Sequence, residues 1–261
     1  VVAPTSRQQV PAEDRVIMAL DVPSLDEASA WAKRFPQLRS FKVGLQLFTQ
    51  EGPRVVQEVA RSGARVFLDL KFHDIPNTVA RAVESAVQPG VFMMNLHIAA
   101  GPEALKRASE ACNERAAALG IERPILLGVT LLTSLTGADL RWAGVRAGAD
   151  TEQLVVTRAV AAQECGLEGV VASAWEAPAI RAACGDGFVI VTPGIRLRSG
   201  EDGDQKRVVT PGSAVAKGSD YLVIGRPIRE AVDPAGALAA IVDDIEMALA
   251  KPKSIEGRDH Q

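Results

Sequence analysis

Eight short apolar runs recur along the chain, at 16–21, 40–45, 65–72, 91–98, 125–132, 169–174, 188–195 and 220–225. Turn residues bound each run, and most are rich in Val, Ile or Leu. The runs are nearly continuous rather than alternating. That suits strands of a parallel sheet whose outer face is covered by helices. The stretches between them carry helical periodicity. Ser24-Leu25-Asp26-Glu27 reads as a capping box opening a helix through Trp31. Pro53 and Pro76 suit first-turn positions. Segments 102–119, 152–165, 175–184 and 234–250 are Ala-rich with helical spacing.

Eight strand-then-helix units fill residues 15–250 with no low-complexity linker. This predicts an α/β fold, a single-domain (β/α)8 TIM barrel, whose usual length is about 250 residues. A doubly wound open sheet is the alternative. The first strand-to-helix turn, residues 20–25, lacks the glycine-rich dinucleotide fingerprint of that fold. Residues 1–14 are polar and read as an arm or short leading helix. Residues 251–261 read as a mobile polar tail. Its Ile255-Glu256-Gly257-Arg258 resembles a protease site added to expressed proteins, so part of the tail is read as non-native.

The third run breaks the apolar rule. Side chains alternate faces along a strand. Val66, Leu68, Leu70 and Phe72 make one wholly apolar face, suited to the helix layer. Phe67, Asp69, Lys71 and His73 make the other. In a barrel, Asp69 and Lys71 then point inward near the C-terminal end of the strand, where catalytic groups sit in this architecture. Asp21 closes the first run and Lys42 lies in the second, so these charges converge at one mouth. The structural alternative is a salt-bridge network plugging the barrel. Buried ion pairs are weak sources of stability, which counts against that alternative.

Composition narrows the partners. Of 261 residues, 29 are Lys or Arg and 32 are Asp or Glu, a net charge of −3 that gives no electrostatic case for nucleic acid or an acidic membrane. Aromatic residues are only 4%, too few for a base-stacking platform. A hydrophobic share of 47% provides a core and excludes intrinsic disorder. No run approaches the roughly 20 apolar residues of a membrane span. Residues 1–14 lack the basic-then-apolar order of a signal peptide. Cys112, Cys165 and Cys184 are odd in number and far apart, without zinc-ligand spacing. They read as reduced thiols of a cytoplasmic protein.

The last two units suggest a second chemistry. Thr192-Pro193-Gly194-Ile195-Arg196 ends the seventh run, and a polar loop follows at 197–207. The eighth run ends in Ile224-Gly225-Arg226-Pro227. Loops after strands 7 and 8 commonly bind phosphate in such barrels. Arg196 and Arg226 are candidate cations. A plain strand terminus and a solvated hairpin are the structural alternatives.

With these residues in place, the chain resembles the orotidine 5′-phosphate decarboxylase family. Asp69-Leu70-Lys71-Phe72-His73-Asp74-Ile75-Pro76-Asn77-Thr78 is similar to the family signature. Further matching motifs follow in order: Ala-Leu-Asp at 19–21, Lys-Val-Gly at 42–44, Leu-Thr-Ser at 132–134, Thr-Pro-Gly-Ile-Arg at 192–196, Gly-Asp-Gln at 203–205 and Ile-Gly-Arg-Pro at 224–227. Ala99-Ala100-Gly101 is less glycine-rich than the family's turn.

The resemblance implies cofactor-free, metal-free decarboxylation of orotidine 5′-monophosphate to UMP. It makes Lys71 the group that stabilises and protonates the C6 carbanion, with Asp69 near the leaving carboxylate. Lys42 would order the carboxylates and touch ribose, and Asp21 would hold ribose hydroxyls. Gly225 and Arg226 would take the phosphate. Gln205, with Arg196 nearby, would bridge phosphate and base. Thr133 and Ser173 would meet the base, with Pro193 packed near it. Asp74, Ile75 and Thr78 are assigned to a neighbouring subunit's site, which implies a homodimer. His73 and His97 read as structural hydrogen-bonders. The rivals are a magnesium-dependent sugar-phosphate decarboxylase or aldolase of the same barrel group, and a silent phosphate-binding barrel. Lys42 is a poor companion for a divalent cation, and the intact set Lys42, Asp69, Lys71 and Asp74 argues against a silent protein.

Overall fold

The computed structural model describes residues 10–146, 148–197 and 209–250. Its strands are β1 (Val16–Ala19), β2 (Ser40–Gly44), β3 (Arg65–Phe72), β4 (Val91–His97), β5 (Ile125–Val129), β6 (Gly169–Val171), β7 (Val189–Pro193) and β8 (Tyr221–Ile224). All eight neighbouring pairs are parallel, and β8 returns to β1 to close the barrel. The expected TIM barrel is therefore observed, and the open-sheet alternative is excluded. The tail at 251–261, residues 1–9 and most of the 197–207 loop, Gln205 included, lie outside the described residues.

Closure sorts side chains by parity. Ile17, Ala19, Phe67, Met93, Leu127, Val191 and Val223 pack together inside the barrel. Val16, Met18, Phe41, Val43, Val66 and Leu68 face the helix layer in the larger outer core. Both faces of the strands are thus desolvated, which is why their sequence runs are continuous rather than alternating. Several strands stop earlier than their apolar runs. β5 ends at Val129 although the run reaches Leu132, because Leu131 and Leu132 line a cavity at the mouth instead of continuing the ladder.

Helices α1 (Leu25–Arg34), α2 (Leu45–Glu51), α3 (Arg54–Arg61), α4 (Pro76–Ala86), α5 (Pro102–Leu119), α6 (Gly137–Trp142), α7 (Thr151–Glu164), α8 (Ala177–Cys184), α9 (Pro211–Lys217), α10 (Arg226–Arg229) and α11 (Pro234–Ala250) follow the strands. Ser24 Oγ accepts the Glu27 N–H and caps α1 as expected. Pro76 opens the first turn of α4, whereas Pro53 stands one place earlier, as the N-cap of α3. The apolar pattern did not reveal α6, a short helix held by a reciprocal capping box between Thr136 and Asp139 inside the β5–α7 connection.

The polar leader is partly structural. Glu13–Arg15 form one 3-10 turn, and Arg15 is buried with a guanidinium N–H on the Asp220 carbonyl at 3.2 Å. The three cysteines are free and buried.

Candidate active site

A cavity of about 650 Å³ opens at the C-terminal end of the barrel. It takes lining residues from β1, β2 and β3 on one side and from the loops after β5, β7 and β8 on the other. Asp21, Lys42, Asp69, Lys71, Thr133, Pro193, Arg196, Gly225 and Arg226 all line it. The charges expected from the sequence therefore converge.

Asp69 organises the early-strand side. Its Oδ1 accepts from Lys71 Nζ at 2.5 Å and from Asn95 Nδ2 at 2.7 Å, while Oδ2 lies 3.4 Å from Lys42 Nζ. Lys42 also donates to Asp21 Oδ1 at 3.0 Å. Lys42 thus stands between the Asp21 and Asp69 carboxylates. Burial by itself would raise the Asp69 pKa. The Lys42 and Lys71 charges, with hydrogen bonds from Lys71 and Asn95, outweigh it and hold the carboxyl below its ordinary value. Asp69 is consequently ionised at neutral pH.

The backbone explains how both charges enter one mouth. Leu68 pairs with Met94, yet Phe72 pairs with Leu96, so Asp69, Leu70 and Lys71 together stand opposite Asn95 alone. This is a bulge, the device by which strands re-aim side chains beside active sites. Lys71 has φ of 51°, the left-handed region and the sole non-glycine case among the described residues. Such a conformation costs a bulky residue free energy and persists only where its surroundings fix it. Outward-facing Leu70 and Phe72 still pack on the outer core, as strand parity predicts.

Gly44 makes room for this cluster. A Cβ there would lie 2.8 Å from Lys42 Nζ, so a side chain at 44 would push the end of Lys42 out of its place. The Lys-Val-Gly motif thereby acquires a steric reason. Neither Gly44 nor Asn95 was singled out for the site from sequence. Asn95 sits one strand away in an apolar run, and its only sequence signal is a polar residue at an inward position.

The opposite side of the cavity is mainly apolar. Val129, Leu131, Val171, Pro193, Ile195 and Val223 line it, with Arg196 and Arg226 at its edge. Glu230 also lines this edge, an acidic group that the sequence pattern gave no reason to place there. Ser173 lies outside the lining, with its N–H on Glu176 Oε2 and its Oγ accepting from the Trp175 N–H. Arg158 braces the Thr133 loop from behind by donating to the Thr130 carbonyl at 2.5 Å.

Asp74, Ile75 and Thr78 lie outside the cavity of their own chain. Ile75 is 67% exposed, a large apolar side chain at the rim. Asp74 Oδ1 accepts the Ile75 N–H at the approach to α4. His73 and His97 are joined by a ring contact, 5.2 Å between centroids, and neither ring hydrogen-bonds among the described residues. The hydrogen-bonding role expected for them is therefore not what joins them. Burial, reinforced by His73, Lys71 and Arg158, depresses the His97 pKa, so this imidazole is neutral at pH 7.

The fold and cavity define a TIM barrel with an ionic cluster on the early strands facing an apolar, arginine-edged wall on the late ones. The sequence profile of the orotidine 5′-phosphate decarboxylase / HUMPS family matches residues 14–241, and this chain belongs to that family. It is 50% identical over 237 residues to the orotidine 5′-phosphate decarboxylase of Moorella thermoacetica, covering 90% of this chain and 94% of that one. The like-named protein of Sodalis glossinidius is 47% identical over 232 residues, covering 88% and 90%. The crystal structure of orotidine 5′-phosphate decarboxylase from Lactobacillus acidophilus superposes with a TM-score of 0.77 at 32% identity, covering 89% of this chain and 99% of that one.

Proposed function

We propose that the chain converts orotidine 5′-monophosphate to UMP and carbon dioxide, a step of pyrimidine biosynthesis, without a cofactor. The observation that carries this reading is the Lys71–Asp69 contact at the cavity floor, with Asp69 ionised and Lys42 between it and Asp21. The bond from C6 to the carboxylate breaks and leaves its electron pair on C6, in the plane of the ring, where the π system cannot accept it. The Lys71 ammonium stabilises that charge and donates a proton to C6. Neutral Lys71 then regains a proton from solvent. For so slow a reaction the protein supplies on the order of 20 kcal/mol of barrier reduction. Fixed charges in a water-poor site are the means available to this set of residues.

The remaining roles rest on the resemblance, supported where their residues line the cavity. Asp21 and Lys42 hold ribose. Thr133 and Pro193 meet the base. The Gly225 backbone and Arg226 take the phosphate, with Arg196 and Gln205 completing the grip. A homodimer accounts for Asp74, Ile75 and Thr78, which lie at the rim outside their own cavity and would enter the neighbour's. A cytoplasmic location fits three free, buried thiols.

The test is direct. Purified protein is added to orotidine 5′-monophosphate, absorbance loss is followed, and UMP is identified in the product, with and without EDTA. Turnover unchanged by EDTA is expected. An inert protein would reject the proposal. Activity abolished by EDTA and restored by magnesium would favour the sugar-phosphate rival.

A further inference from the structure

We infer that Asn95 is a positioning residue that holds the reactive arrangement of Asp69 and Lys71. This rests on the decarboxylase reading above. Asn95 lies on the inner face of β4, paired in register with Leu127, and is completely buried. Its amide makes two bonds that differ in kind. Oδ1 accepts the Lys71 backbone N–H at 2.8 Å, and Nδ2 donates to Asp69 Oδ1 at 2.7 Å. The reverse orientation would set NH2 against N–H and a carbonyl oxygen against a carboxylate, so the donor and acceptor ends are fixed by chemistry.

Each bond answers a specific need. The bulge rotates the Lys71 N–H out of the sheet ladder, and a buried unpaired N–H is costly. Asn95 Oδ1 supplies the missing acceptor and so pins the left-handed backbone at Lys71. Asp69 Oδ1, meanwhile, is the oxygen that Lys71 Nζ touches. Nδ2 bonds that same oxygen and fixes the carboxylate from the side. One amide therefore sets both the lysine's backbone and its counter-ion. No other side chain among the described residues hydrogen-bonds to both. Asn95 reaches no cavity surface, so its effect passes through Asp69 and Lys71.

Two variants separate positioning from bulk structure. Asn95→Ala should lower kcat at least a hundredfold while KM and the UMP dissociation constant stay within threefold, because ribose and phosphate contacts lie elsewhere. Asn95→Asp is nearly isosteric and adds a titratable group against Asp69. When that new carboxyl is protonated it can donate to Asp69 Oδ1 and still accept from the Lys71 N–H, reproducing the amide. When ionised it can only repel. Two adjacent carboxylates raise the pKa of one of them. Activity of Asn95→Asp relative to the parent should thus rise at least tenfold from pH 8 to pH 5.5, with UMP binding monitoring the fold at each pH. Parallel pH profiles for parent and Asn95→Asp would overturn the inference. So would Asn95→Ala with kcat within threefold of the parent, or with KM raised as far as kcat falls. If Asn95→Ala does not fold, the Asn95→Asp profile decides. A parent inert on orotidine 5′-monophosphate would instead sink the decarboxylase reading.

Discussion

The two walls of the cavity are built on different principles. On β1 to β4 the functional groups are side chains of the strands themselves or of the residues just beyond them, locked by mutual bonds among Asp21, Lys42, Asp69, Lys71 and Asn95. On β5 to β8 the strands contribute mainly apolar surface, and the polar groups Thr133, Arg196 and Arg226 come from the connections beyond them. Strand-borne groups are held more tightly than loop-borne ones, which suits chemistry on the first wall and capture on the second. Remote binding on the second wall can then support a transition state formed on the first.

The sharpest break of this division is Lys71→Ala. It should lower kcat by several orders of magnitude while UMP still binds, since the lost group acts in the chemical step. A variant within tenfold of the parent in a steady-state assay would remove Lys71 from the first wall's chemistry.

Next in size is a complementation between chains. Lys71→Ala and Asp74→Asn should each be nearly inactive. After subunit exchange, random mixing makes about half the dimers mixed, and each mixed dimer holds one intact site, so about a quarter of sites recover. Verified exchange with no recovery would assign Asp74 to its own chain.

Arg226→Ala probes the second wall. Loss of a hydrogen-bonded charge to phosphate, about 1.5–3 kcal/mol, should raise KM roughly 10- to 100-fold. Orotidine lacking phosphate should be a poor substrate for both proteins and nearly indifferent to the change. Equal slowing of both substrates would show that Arg226 does not read the phosphate.

The smallest effect concerns acid. Asp69 is held below its ordinary pKa, so its contribution to stability and activity is fully present above the unfolded carboxylate value of about 3.9 and is lost only as pH falls through the lower folded value. Lys42→Met removes the lysine whose charge acts more strongly on Asp69 against burial. The acid limb of kcat should then move to higher pH. An unmoved limb would mean that Lys42 does not govern Asp69.

The same contrast decided what the sequence disclosed. Charges at Asp69 and Lys71 inside an apolar strand are anomalous, so strand parity alone assigns them to the barrel interior. All eight strands and helices such as α5 and α11 were equally plain, because covered parallel strands and Ala-rich helices leave strong periodic signals. The left-handed turn at Lys71 was not legible, since a two-residue register slip against β4 depends on pairing rather than on local sequence. Asn95 matters through contacts with a neighbouring strand, which no single run reveals, and Gly44 through the end of a side chain two residues away on its own strand. On the second wall Arg196 and Arg226 were readable from their place after strands 7 and 8, whereas Thr133 was readable only by resemblance, because a loop's backbone geometry has no period.

The barrel's seam gives the site a place in time. Ile17 pairs with Val223, so its closing ladder joins strands about 200 residues apart in the chain. Gly225 approaches Asp21 across this seam, where a Cβ would lie 3.4 Å from Asp21 Oδ2. During synthesis, β1 must wait unpaired on one edge until β8 has left the ribosome, a topology that favours slow closure and exposure of a strand edge. The Asp21 and Gly225 edges of the cavity consequently meet only when the barrel closes. A nucleotide that bridges them would bind the finished barrel and not its precursors, drawing nascent chains toward closure by mass action.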